Sequence, residues 1–403
     1  MIRTLLLACL SILLVATIIY RPDDAFQASL QGLTIWWNIV FPGLLPFLTL
    51  LELMLAFGAV HAFGALLDPL MRRLFRLPGE AGLALAFGWS GGFPSGAETA
   101  AALRRSGTLT RSEGQRLLAM AHMPNPLFML LVVGSGFLKR PELGAAIAVA
   151  VWASAITVGF LHSRLSAGTI TGHEASPPAS GSSHYRIAGS SLRKAAHAMA
   201  EAKQKDGRTF GKALGDSVIA SVYKLMAVGG YMMIGAVLVR LLEPLMPGAL
   251  PGFILPGLIE SHIGAYSAAV AKFDGGMTWN AAATAAVLSW GGISALLQAG
   301  TVMAGTDLST RSLAVIRLLQ AAVAFTFTLL LWQPLSSLMT RIIPASVPAL
   351  LPIGAANSPN PTVIHAVELH SLWPYAPFML AAFISALAIL TLTSSGASSL
   401  FKR

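Results

Sequence analysis

Between Leu85 and Arg104 an apolar run is interrupted at its centre by Gly88, Gly91, Gly92, Pro94 and Gly96. Pro94 removes a backbone donor and the glycines weaken the helix, so a continuous helix through this stretch is disfavoured. Backbone that leaves a helix at membrane depth must line a cavity or be packed in protein, because lipid cannot satisfy its N–H and C=O groups. A carboxylate, Glu98, follows the break directly. The stretch is therefore a candidate binding site.

A membrane setting for this stretch follows from composition. Of 403 residues, 55% are hydrophobic and 11% charged, with mean hydropathy +0.69. A soluble domain carries about 25% charged residues, so the chain reads as an integral membrane protein. The net charge of +10 does not indicate nucleic acid, since the basic residues sit in short connections between apolar runs and form no basic-aromatic surface. One cysteine, Cys9, leaves no internal disulfide and no Cys-based metal site. Too few apolar residues precede it for a lipoprotein cleavage box.

The expected order begins with an uncleaved span at 4–20 and a long span at 30–58 interrupted over Phe41–Pro46. An amphipathic link (60–78), the broken element (80–103), a span broken at its start by His122–Pro126 (117–138) and a further span (143–163) follow. Residues 164–216 are rich in Ser, Gly, Pro, Lys and Arg and read as a partly disordered cytoplasmic linker with a surface helix near 188–206. The second half runs 217–242, 251–273, 277–304 and 312–338. Lys224 and Arg317, both inside spans, are expected to snorkel to the interface.

The positive-inside rule favours drawing 80–103 and 251–273 as re-entrant hairpins with both chain ends cytoplasmic. Each half then reads span, hairpin, broken span, span, in opposite orientation. The expected fold class is thus an all-α polytopic membrane protein with two inverted-topology repeats containing re-entrant hairpins and discontinuous helices, an architecture of secondary transporters. Its parts are an N-terminal anchor (1–29), a first repeat (30–163), the linker (164–216), a second repeat (217–340), an extramembrane loop (341–372) and a C-terminal span (373–403).

Interrupted helices expose N–H groups that suit an anion and carbonyls that suit a cation. The candidate substrate-binding residues are accordingly Gly92, Pro94, Ser95, Gly96 and Glu98 in the first hairpin and Asn125 and Pro126 in the first broken span. Glu260 and Ser261 follow in the second hairpin, then Gly291, Gly292, Ser294 and Gln298 in the second broken span. Glu98 and Glu260 are read as mirror-related carboxylates, either holding a coupling ion or proton or capping a helix break. Glu52 is a weaker candidate on the same ground. His122 and His262 flank the breaks as proton relays or structural hydrogen-bonders. No catalytic constellation, metal-ligand set, P-loop or dinucleotide fingerprint emerges, so no enzyme and no cofactor beyond a possible coupling H⁺ or Na⁺ is expected.

At Phe41-Pro42-Gly43-Leu44-Leu45-Pro46-Phe47, Asp68-Pro69-Leu70-Met71-Arg72, Ser90–Ala97, Asn125-Pro126-Leu127-Phe128 and Gly257-Leu258-Ile259-Glu260 with Gly264, the chain resembles the YlbJ family of sporulation integral membrane proteins, whose members carry a nucleoside-recognition or Gate domain. The resemblance implies similarity to parts of concentrative nucleoside transporters. It also implies a mother-cell or outer forespore membrane, and movement of dipicolinic acid during endospore formation. Nucleosides, other metabolites and a non-transporting scaffold role are the alternatives, with homo-oligomerisation open. Relatives carry Lys where this chain has Glu98; Arg104 or Arg105 would replace that charge if they face the cavity.

Overall fold

The computed structural model describes residues 2–165, 191–248 and 250–342. The regular secondary structure of these residues is all helical, without strands. Five helical stretches are long and apolar enough to cross a membrane: Pro22–Ala56, Pro141–Arg164, Phe210–Leu245, Met277–Val302 and Thr310–Arg341. The loop beyond Ile342, the last span and residues 166–190 of the linker lie outside the described residues.

Helix α1 (Ile2–Tyr20) turns at Arg21 into α2 (Pro22–Ile35), a π-helical turn (Trp36–Val40) and α3 (Phe41–Ala56). The break expected over Phe41–Pro46 is absent. The widened turn precedes Pro42, and Pro46 sits inside α3. A proline removes one i→i−4 bond, and one wide turn absorbs the mismatch without ending the helix. The span consequently starts at Pro22 rather than near residue 30.

Helix α4 (Ala59–Leu70) is the amphipathic link. α5 (Ala81–Gly91) and α6 (Ser95–Arg105) pack on each other. A Cβ on Gly96 would lie 2.9 Å from the Gly88 Cα, whereas eight residues of unbroken helix rise about 12 Å. The chain doubles back here. α7 (Arg111–Ala121) starts in a capping box between Thr110 and Glu113, satisfying free N–H groups reciprocally. It stops at His122–Asn125, and a π-helical segment (Phe128–Phe137) and α8 (Pro141–Leu165) complete the first half.

Helix α9 (Ser191–Asp206) packs against α4, so this part of the linker is structured against the first half. α10 (Phe210–Leu242) begins earlier than expected. Its first turns have partners: Phe210 stacks on Phe57, and Ala213 is buried with Leu53 and Ala56. α11 (Ile254–Ile259) and α12 (Ser261–Val270) form a second doubled-back pair, with a Cβ on Gly264 falling 2.7 Å from the Gly257 nitrogen. α13 (Met277–Trp290) and α14 (Gly292–Val302) are one span broken where Gly291 and Gly292 both take positive φ, 85° and 79°, a conformation that favours glycine. α15 (Thr310–Ile342) closes the described chain.

The halves share one apolar core. α10 packs along α2 and α3, while α15 packs on α13 and α8. Arg104 joins the periphery of the two halves through a paired contact with Asp307 at 2.8 Å.

Candidate functional site

The four interruptions meet. At the first tip Gly92 (φ 75°) abuts Asn125, such that a Cβ on Gly92 would lie 2.7 Å from the Asn125 nitrogen. Phe93 reaches the second broken span, where a Cβ on Gly291 would lie 3.0 Å from its Cζ. Gly292 in turn presses on the second tip, with its would-be Cβ 3.0 Å from the Glu260 Cα. His262 then returns to the first half, edge-on to Phe128 at 4.5 Å between ring centroids.

Two polar side chains at this junction, Asn125 and Glu260, are committed to the backbone ends that the breaks expose. Asn125 donates from Nδ2 to the carbonyls of Ser90 (3.2 Å) and Gly91 (3.4 Å), the free C-terminal carbonyls of α5, and accepts from the Leu127 N–H at 2.7 Å. Glu260 is the N-cap of α12, accepting from the N–H groups of His262 and Ile263 at 2.8 Å each. Its other oxygen lies 2.7 Å from His262 Nδ1 and accepts from Ser261 Oγ at 3.4 Å. A carboxylate at a helix N-terminus satisfies donors that the helix itself cannot. These contacts hold the breaks open whatever else the residues do.

Glu98 does not mirror Glu260. It sits exposed in the first turn of α6, whereas Glu260 is buried. The Gly88/Gly96 and Gly257/Gly264 pairs put Glu260 level with the Gly92–Phe93 tip; Glu98 lies beyond it on a helix whose buried face is Ala97, Ala100 and Ala101. That i, i+3, i+4 pattern was legible in the sequence. Pro94 caps α6 and Ser95 is half-buried beside it, while Gly96 is a packing contact. Pro126 ends the first break. Ser294 is buried with no partner at Oγ, and Gln298 is half-buried one turn further along α14.

Neither terminal arginine of α6 faces the junction. Arg104 pairs with Asp307 and donates to the Leu109 carbonyl at 2.8 Å, while Arg105 donates to the carbonyls of Val302 and Ala304. Arg317 is the reverse case. It is 1% exposed, contrary to the snorkelling expected of it. It donates to Gln320 Oε1 at 2.8 Å and to the Leu288 carbonyl at 3.3 Å, and its guanidinium lies 5.5 Å from the Phe93 ring centre. Lys224, about half exposed in the middle of α10, pairs with Glu52 on α3. Sequence reasoning undervalued Phe93, Arg317 and Gln320, because which side of a span faces the protein is decided by partners distant in the chain.

A groove of about 510 Å³ runs between α2, α10 and the second hairpin, lined by Gln27, Gln31, Arg240, Glu243, Tyr266 and Ser267 among others. It reaches Pro256 and Ile263 on the flank of that hairpin. Among the described residues no three His, Cys, Asp or Glu side chains gather in a way that could hold a metal ion.

Fold and junction together define an integral membrane protein of helices, several interrupted, whose interruptions are packed into one buried polar centre. A family model described as "Gate: Nucleoside recognition" matches residues 38–141, which contain the first hairpin and the first broken span. The sporulation integral membrane protein YlbJ of Bacillus subtilis (strain 168) is 35% identical over 352 residues, covering 83% of this chain and 84% of its own. The chain belongs to the YlbJ family of sporulation integral membrane proteins. No solved structure matches it.

Proposed function

We propose that the chain is a membrane carrier for a small anionic aromatic metabolite, with dipicolinate the first candidate through the family resemblance. The observation that carries this reading is the convergence of Gly92, Asn125, Glu260 and Gly291–Gly292 at one buried place. Secondary transporters bind solutes where discontinuous helices from two repeats meet. In this reading α5–α6 and α11–α12 are re-entrant hairpins, and the halves 22–165 and 210–342 are inverted repeats. Their contacts support that pairing: α6 packs on α14, α12 on the segment Phe128–Phe137, and the two closing spans α8 and α15 on each other. Trp89 donates to the Met120 carbonyl and Trp290 to that of Leu258, each tying a hairpin to the broken span of its own half. Both termini are cytoplasmic, in the mother-cell or outer forespore membrane, and H⁺ and Na⁺ are the candidate coupling ions.

The Gate match favours a nucleoside as the second reading. The full hydrogen bonding of Asn125 and Glu260 favours a third, a sporulation scaffold in which the breaks serve packing alone. Uptake of labelled dipicolinate and of nucleosides into vesicles containing the purified protein separates them. A carrier accumulates one class, and a scaffold accumulates neither.

A further inference from the structure

Arg317 is a fully buried guanidinium for which no carboxylate provides a counter-charge among the described residues. Its two hydrogen bonds go to neutral oxygens, those of Gln320 and Leu288, and its Nε has no partner. Five N–H donors make a rigid fork suited to a carboxylate, and a buried charge left unpaired is costly. The surroundings lack hydrogen-bond partners too. Ser289 Oγ and Ser294 Oγ, on either side of the Gly291 break, are without one, and buried His122 has no side-chain partner, only the Ala295 backbone within reach. His122 lies 4.5 Å from the Phe93 ring, centroid to centroid, and within electrostatic reach of Arg317. Helix α14 begins at Gly292, beside the same Phe93. Its free N–H groups and positive dipole end add to a field that suits negative charge.

We propose that Arg317 is the counter-charge for the carboxylate of a planar aromatic acid bound at this junction, with the rings of Phe93 and His122 packing on the solute and the α14 N-terminus completing the anion site. Arg317 would thus hold the solute charge that Arg104 and Arg105 are not placed to meet. The inference rests on the carrier reading for the route by which a solute reaches this depth, and binding itself does not require transport. A neutral nucleoside would leave the guanidinium uncompensated, so the site discriminates by charge.

The test is equilibrium binding to the full chain in lipid nanodiscs, using pyridine-2,6-dicarboxylate and its neutral diamide as probes, alongside vesicle flux. The wild type is expected to bind the acid and not the diamide. Removing one member of a buried charge pair lowers affinity by about 30-fold or more, so R317Q should lose at least that much acid affinity. R317K, which keeps the charge and loses the fork, should fall between the two, with a melting temperature near wild type. Equal binding of acid and diamide, no binding of acid by the wild type, or unchanged affinity in R317Q overturns the proposal. If R317Q fails to fold, R317K and F93L decide: unaltered acid affinity in both overturns it, and weakened affinity in either supports it. Flux that persists in R317Q sinks the role of Arg317 and leaves the carrier standing. Arg317-dependent binding without flux does the opposite.

Discussion

Gly264 packs so closely on Gly257 that a methyl group built on it would fall 2.7 Å from the Gly257 nitrogen. The second hairpin can close only because neither residue has a side chain. Substituting alanine at Gly264 forces the two limbs apart, and overpacking of this kind costs about 1–3 kcal/mol. G264A should therefore lower the melting temperature in detergent. G230A on α10, where a Cβ meets nothing within 4 Å, should be neutral or stabilising, since alanine is the better helix former. Equal melting of the two variants would mean the hairpin is not pinched there.

Glu260 has two separable roles. As N-cap of α12 it accepts two backbone N–H bonds, and losing such a cap costs about 0.5–2 kcal/mol. E260A should show that loss in thermal melts. E260Q keeps an acceptor oxygen, so it should express and fold near wild type while abolishing or uncoupling flux. Undiminished, still coupled flux in E260Q would confine Glu260 to holding the break.

The Arg104–Asp307 pair gives the periphery a pH signature. Hydrogen bonding from Arg104 holds the Asp307 carboxyl below the usual carboxylate range. A depressed folded-state value contributes stability above the unfolded value, roughly pH 4, and that contribution is lost as pH falls through the folded value. Asp307 is 45% exposed, so solvent screening limits the pair to about 0.2–1 kcal/mol. Melts of D307N should fall below wild type by that small margin at pH 7, and the gap should close as pH falls below the usual carboxylate range. A gap that persists in acid would assign the effect to something other than this charge.

Topology is open to chemical labelling. With Cys9 replaced, a cysteine introduced at Gln204 on the exposed side of α9 should react with a membrane-impermeant reagent only after the cytoplasmic face is opened. Labelling from outside in intact cells would invert the orientation of both halves.

How much of this was legible in the sequence depended on whether the signal was local. The breaks at Gly92–Pro94, His122–Pro126, Glu260 and Gly291–Gly292 were readable because glycine and proline act on their own backbone. α9 was anticipated from composition, whereas the Thr110–Glu113 capping box, an equally local signal, was overlooked. Pro42 and Pro46 misled, since a π-helical turn a few residues upstream absorbs them. Arg317 was the largest miss. Its position in an apolar run is equally compatible with reaching the interface or facing inward, and only Leu288, Gln320 and Phe93, brought in by the fold, decide between them.

In the carrier reading the interruptions of both halves join to grip a solute inside the membrane. Uptake of labelled dipicolinate by vesicles containing the purified chain, with and without an imposed ion gradient, tests it most directly. Saturable uptake above protein-free vesicles, suppressed by excess unlabelled acid, is expected. Uptake no greater than in protein-free vesicles, for dipicolinate and for a nucleoside panel under every gradient, would contradict it.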